Sequence, residues 1–265
     1  MLRFRSERIS IGLCHDSIGG IRQKNEVSEN LPVIRYDQAV VGTHSTASAD
    51  ALEKWLDAQE LKGQHASVVL SNHFVRYALI PWSDTLLSVQ EEDILFRTKF
   101  EELYGDMDDW QVLANAPEYG KARIVCAVHQ VLIHRINEIW KTKGIKGGSI
   151  VPYFVACWNR WQRSFHQRGG MIAVAEMQSV VIGCFGKNGW SSLRSISVSP
   201  TSTNLSDIVF REGLLQRHSS PIPVWIHTLA PLPSGENPFI AGEKLLKLDL
   251  PNEDPCLTMA RVGSL

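Results

Sequence analysis

Short apolar runs broken by turn residues open the chain. ISIGL (9–13), IGGIRQ (18–23) and PVIRYDQAVV (32–41) are separated by His-Asp-Ser, Lys-Asn-Glu and Ser-Glu-Asn, a pattern that predicts three strands. The period then changes. Leu52, Trp55 and Leu56 recur at helical spacing within 49–63, with Ser48 or Asp50 as candidate cap and Gly63 as the stop. SVVLS (67–71) and FVRYALI (74–80) flank Asn72-His73 and read as a hairpin ended by Pro81. A helix is predicted over 88–104, because Ser88 and Glu91 have capping-box spacing and Glu91, Glu92 and Asp93 sit at the positive end of the helix dipole.

Further along, WQVLANAPEY (110–119) and KARIVCAVH (121–129) predict a strand pair. An amphipathic helix follows over 131–144, with Leu132, Ile136, Ile139 and Trp140 on one side, and then a strand at 145–152. Pro152 suits the first turn of a helix running toward Arg168, and Gly169-Gly170 makes a turn. The grammar then repeats. Residues 170–200 predict three strands with Lys187-Asn188-Gly189 as a hairpin turn. A helix over 204–218 follows, capped by Thr203 or Asn204, then a strand at 223–232, and finally a helix end running into a short strand within 242–251.

Composition narrows the reading. The chain has 265 residues, 44% hydrophobic and 21% charged, enough for a large core and inconsistent with disorder. A net charge of -1 gives none of the basic footprint of a nucleic-acid binder. Five scattered cysteines with no C-x-x-C read as buried reduced thiols. MLRFRSERIS has no apolar signal region, and no stretch reaches the ~20 apolar residues needed to span a bilayer.

The hairpin region 66–82, the acidic helix after Pro81 with Glu91-Glu92, the strand pair around WQVLANAP and ARIVCAVHQ, the helix VLIHRINEIWKTKGI and the strand GGSIVPYFVACW come in an order that resembles a known family. They look like the cytoplasmic actin-like domains of PilM, MshI and GspL, which assemble type IV pili and type II secretion systems. The resemblance implies an α/β fold of two actin-like (RNase H-like) halves, each a mixed sheet with flanking helices, around a central cleft. It places the first half at 1–168, with a smaller inserted subdomain near 66–130, and the second half at 169–265.

Active members of that superfamily hold ATP and Mg²⁺ between the halves. Small residues let backbone N–H groups face the phosphates, and carboxylates serve the hard cation. This chain departs at three places. Leu13-Cys14-His15 stands where the first turn has Asp-x-Gly, with Asp16 displaced; Glu176-Met177-Gln178 replaces the second such turn; His227-Thr228 replaces a glycine pair. The expectation is a degenerate cleft with no cofactor and no metal. Were nucleotide retained, Asp16, Ser17, Gly19, Gly20 and Glu176 are the residues to hold it.

The other candidate chemistry is thin. Cys14-His15-Asp16 cannot turn three adjacent side chains onto one ion. Cys126 and His129 read as a buried thiol and a boundary histidine rather than a nucleophile pair. No G-x-S-x-G, H-E-x-x-H or P-loop motif occurs. Arg160, Arg163 and Arg168 with Trp158, Trp161 and Phe165 read as an amphipathic helix, with a protein contact as the leading alternative. Arg76, Tyr77 and Trp82 form a second candidate contact, although strand packing accounts for Tyr77 equally well.

The sequence thus points to a non-catalytic cytoplasmic scaffold of a pilus or secretion assembly platform. The resemblance implies a partner: the short cytoplasmic tail of a bitopic inner-membrane protein, seated in a groove on this domain. No membrane helix follows before Leu265, so recruitment to the inner membrane is expected through that partner. The rivals are a divergent ATPase or sugar kinase of the same superfamily, using Asp16 and Glu176 with Mg-ATP, and a stand-alone regulator that binds another protein through the Trp/Arg helix.

Overall fold

The computed structural model describes residues 7–24, 27–37, 44–59, 61–85, 87–165, 169–198, 205–215, 222–229, 245–247, 250 and 253–264. Strands β1 (Arg8–Leu13), β2 (Ser17–Lys24) and β3 (Val27–Asn30) form an antiparallel meander, and β4 (Ile34–Arg35) adds to β2. Among the described residues, the expected third strand over 32–41 is reduced to β4, and β3 forms instead over the Ser28-Glu29-Asn30 stretch expected as a turn. Helix α1 (His44–Asp57) leads to β5 (His65–Leu70), a 3-10 turn at Asn72–Phe74, and β6 (Val75–Ile80). Then come α2 (Val89–Tyr104), β7 (Trp110–Ala114), β8 (Arg123–His129), α3 (Gln130–Thr142), β9 (Lys146–Pro152) and α4 (Tyr153–Trp161). The remaining elements are β10 (Gly170–Glu176), β11 (Ser179–Gly186), β12 (Gly189–Ser197), α5 (Leu205–Leu215), β13 (Val224–Thr228), β14 (Leu245–Lys247) and α6 (Pro255–Gly263).

Two sheets share one topology. The first runs β3-β2-β1-β5-β9 and the second β12-β11-β10-β13-β14. In each, three antiparallel strands precede a strand that pairs in parallel with the first (β5 with β1, β13 with β10), and a further strand pairs in parallel with that one (β9 with β5, β14 with β13). The central strands β1 and β10 are buried along nearly their whole length, which is why they read as continuous apolar runs rather than alternating ones. A third sheet, β6-β8-β7, carries α2 on one face.

Several local expectations hold. Ser88 and Glu91 make a reciprocal capping box. In α3, Leu132, Ile136, Ile139 and Trp140 are buried, joined by Ile133. The Lys187-Asn188 turn joins β11 to β12 through the Gly186–Gly189 pair. The caps Thr203 and Asn204, the helix end at 242–244 and Arg168 lie outside the described residues.

Two expectations are corrected. SVVLS and FVRYALI do not form a hairpin: β5 pairs in parallel with β1 and β9, while β6 pairs with β8 in another sheet. The Asn72–Phe74 turn redirects the chain between sheets instead of folding it back. The second correction is α6, which the sequence reading did not foresee and which it grouped with the second half. This helix lies on the first sheet. Asp254 caps it through the Cys256 N–H, and Pro255 occupies its first turn.

The docking of α6 depends on two residues without side chains. A Cβ on Gly12 of β1 meets the Cys256 carbonyl oxygen at 1.9 Å, and one on Gly19 of β2 meets Cys256 Sγ at 2.8 Å. The contact at Gly12 is to backbone, so no rotamer change relieves it. Gly12→Ala is expected to destabilise the protein by about 2–3 kcal/mol, read as a lowered denaturant midpoint. Gly186→Ala, with open space around the new methyl, is the control and should shift stability by about 0.5 kcal/mol or less. Equal midpoints for the two variants would show that α6 does not press on β1.

Candidate functional site

The segments that follow β5 and β10 bring the first two sheets into contact at the place where the cleft was expected. Pairing of Glu176 with Ser179 leaves Met177-Gln178 as a two-residue turn. Gln178 has φ 64°, and among the described residues it is the one non-glycine in the left-handed region. The turn therefore keeps a backbone shape that suits glycine while carrying glutamine, at a cost of roughly 1–2 kcal/mol. Met177 projects outward, 55% exposed.

Glu176 points the other way, with its side chain 3% exposed. Its Oε2 accepts from Ser71 Oγ at 2.5 Å and its Oε1 from the Asn72 N–H at 2.8 Å. Both donors belong to the segment after β5, so the carboxylate of the second sheet is bonded to the first. His73 Nδ1 lies 2.9 Å from Ser71 Oγ and 3.7 Å from Glu176 Oε2. Since the serine proton goes to Glu176, Ser71 Oγ accepts from His73, which assigns the proton to Nδ1. The His15 ring stacks on His73 with centroids 4.6 Å apart.

A second bond crosses the cleft. Tyr153, at the start of α4, places its hydroxyl 2.5 Å from His227 Nε2 on β13. Beneath these contacts, Asn72 Oδ1 accepts from Tyr77 Oη at 2.5 Å and from the Phe154 N–H at 3.1 Å. Burial, with the Glu176 charge adding to it, pushes the Tyr77 and Tyr153 hydroxyls well above their ordinary range, so both stay protonated. The same causes raise the thiols of Cys14 and Cys157.

The residues named for a retained nucleotide are not brought together. Asp16 accepts from Ser17 Oγ at 3.0 Å and lies 4.0 Å from Arg35 Nη1; Arg35 also reaches Asp254 at the cap of α6. Gly19 and Gly20 sit inside β2, closed over by Cys256, Leu257, Val33 and Trp55. Glu176 alone of the five is bonded across the cleft. Among the described residues, no group of three metal-ligating side chains forms.

The candidate contact residues are mostly engaged within the fold. Arg76 stacks 3.9 Å over Trp110 and donates to Met107 Sδ. Tyr77 is buried against Asn72. Trp82 donates to Asp84 and meets Tyr119 edge-on. Trp158 packs on Phe165, Phe185 and Trp190, Trp161 on His227, and Arg160 donates to the Arg261 carbonyl of α6. Cys126 and His129, three apart on β8, face opposite sides of their sheet.

One feature escaped the sequence reading. A groove of about 570 Å³ runs between the third sheet and the first, with Ile124, Cys126 and Val128 of β8 on one wall and Val151, Val155 and Trp158 on the other. Its rim carries Glu118, Lys121, Arg123 and Asn159, and Trp190 of β12 closes one side. No short motif signals it, because the lining comes from separate strands and helices.

No protein-family model matches this sequence, and no curated protein matches it. Solved structures do. A Bacteroides thetaiotaomicron protein with an actin-like ATPase fold superposes with TM-score 0.66 at 13% identity, covering 100% of both chains. The cytoplasmic domain of EpsL, an inner-membrane component of the Vibrio cholerae type II secretion system, gives 0.61 at 14% identity over 98% of this chain and 96% of that one. The PilM–PilN type IV pilus biogenesis complex gives 0.58 at 12% identity over 84% and 82%. The chain has the actin-like fold of the PilM and GspL-like domains, as the order of its elements implied. Among the described residues no helix is long and apolar enough to cross a membrane.

The groove wall makes a chemical prediction. Burial pushes the Cys126 thiol up to about 12, so at pH 8 roughly one in ten thousand molecules carries its thiolate. All five cysteines are buried. Ellman's reagent should leave the native protein unmodified for minutes at pH 8 and titrate five thiols after denaturation. Rapid native labelling of Cys126 would contradict that packing.

Proposed function

We propose that this chain is a non-catalytic scaffold of a pilus or type II secretion assembly platform, with an actin-like cleft that no longer serves a nucleotide. The observation that carries this reading is the state of Glu176. Its carboxylate occupies the space between the two phosphate-type turns and takes up the Ser71 hydroxyl and the Asn72 N–H. A buried negative charge there repels a triphosphate, and the donors a phosphate needs are already engaged. Asp16, the other carboxylate that could serve Mg²⁺, is paired toward Arg35. Glutamine in place of glycine at 178 adds bulk to the second turn.

The partner reading rests on the groove and on the neighbours. PilM is found in a complex with PilN, and EpsL is an inner-membrane component of its secretion system. By analogy, the groove between β8 and α4 takes an extended apolar segment, the cytoplasmic tail of a bitopic inner-membrane assembly protein. The apolar walls supply affinity, and the charged rim sets orientation. On this reading the domain sits at the cytoplasmic face of the inner membrane, held there by its partner.

Two measurements test the reading. Calorimetric titration with Mg-ATP should show no saturable binding tighter than about 1 mM and no phosphate release above buffer. Micromolar binding lost in Asp16→Ala would instead establish a working nucleotide site. For the partner, a photo-crosslinking amino acid placed at Val155 in the native cell should capture the cytoplasmic tail of an inner-membrane protein, identified by mass spectrometry. Capture of soluble proteins alone would overturn the platform assignment.

A further inference from the structure

We propose that Glu176 is a built-in latch, a carboxylate that bridges the two sheets and holds the cleft closed with no ligand present. In a two-lobed fold with an open cleft, something must offset the repulsion and hydration of polar groups on the facing walls. A ligand bonded to both lobes does this in a protein that opens and closes. Here one side chain makes the same connection from within. Glu176 is fixed in β10 by its pairing with Ser179. Its two oxygens reach different groups of the opposite lobe, the Ser71 hydroxyl and the Asn72 N–H, so the contact constrains both position and rotation.

The surroundings are arranged to hold it. His73 stands 3.7 Å from Oε2 and is itself braced by Ser71 and by stacking on His15. Asn72 is fixed from below by Tyr77 and the Phe154 N–H, so the donor N–H cannot swing away. The Tyr153–His227 bond makes a second tie beside the first. With a side chain 3% exposed, water does not compete for these bonds until the lobes part.

The latch also bears on the groove, a consequence that rests on the docking role proposed above. Gly189 and Trp190 of the second sheet's β12 line the groove beside residues of the other two sheets, and Ala122 forms a bridge to Gly189. A closed cleft therefore keeps the groove assembled before any partner arrives, which removes the ordering cost from the binding step.

Amide hydrogen exchange, measured on the full chain without nucleotide or partner, tests the latch separately from the scaffold reading. In Glu176→Ala, the Asn72 amide should exchange about a hundredfold faster than in the parent, with a larger radius of gyration in solution scattering. The amides of Ile11 and Ala173, in the centres of the two sheets, should change by less than about threefold. Glu176→Gln, which keeps an acceptor for the Asn72 N–H, should recover most of the protection. If Glu176→Ala does not fold, Ser71→Ala removes one of the two bonds, and it should raise Asn72 exchange by about tenfold. An Asn72 amide unchanged in whichever variant folds overturns the latch. So does a uniform rise at Asn72, Ile11 and Ala173, which would make Glu176 an ordinary contributor to global stability.

Discussion

A carboxylate with almost no solvent contact has to find donors or give up its charge. Removing an ion from water costs several kcal/mol even after the protein relaxes. At Glu176 that demand is met by groups from the opposite lobe. The lobes are thereby obliged to meet at a defined distance and angle, and the rest of the cleft is organised around that meeting. His73 is oriented by Ser71, and Asn72 is pinned by Tyr77 and Phe154. The aromatic cluster of Trp158, Phe165, Phe185 and Trp190 then fills the space behind, where α4 meets the second sheet.

A second constraint ties the chain ends into the same arrangement. Helix α6 follows the other described elements in sequence yet lies on β1 and β2, the first two strands in chain order. Its Cys256 backbone touches Gly12, while its cap Asp254 meets Arg35, which also approaches Asp16 in the first turn. The turn after β1 is thereby tied to α6. Cys14, in the same turn, packs its thiol on Met259. The first turn is thus fastened to α6, and Glu176, at the start of the second, is bonded to the segment after β5.

What the sequence revealed follows from the range of the interactions involved. The capping box at Ser88 and Glu91 acts over three residues and was legible. The buried central strands were legible because two-sided burial leaves an unbroken apolar run. The hairpin expected over 67–80 failed because a break such as Asn72-His73 looks the same whether the chain turns back on itself or passes to another sheet; strand pairing decides, and that is long-range. Helix α6 carried a readable start in Asp254-Pro255, but with only nine residues its periodic signal was short. That Leu13-Cys14-His15 and Glu176-Met177-Gln178 differ from Asp-x-Gly was legible as a matter of sequence. The bonds from Glu176 to Ser71 and Asn72 were not, since they join positions more than a hundred apart.

The identity of residue 176 carries a final step of reasoning. The pattern that the second turn resembles has aspartate there, and the chain has glutamate. One methylene lengthens the side chain by about 1.5 Å. At the present separation of the lobes, with Oε1 2.8 Å from the Asn72 nitrogen, an aspartate on the same backbone leaves that gap at over ~4 Å, beyond hydrogen-bonding reach. The shorter acid suits a site in which a cation or a water fills the space between the lobes. The longer one suits a site in which the opposite backbone does. A glutamate at 176 therefore reaches the Asn72 backbone, which an aspartate on the same backbone does not. On the reading proposed above, a contact of this kind defines the geometry between the two sheets from within the chain.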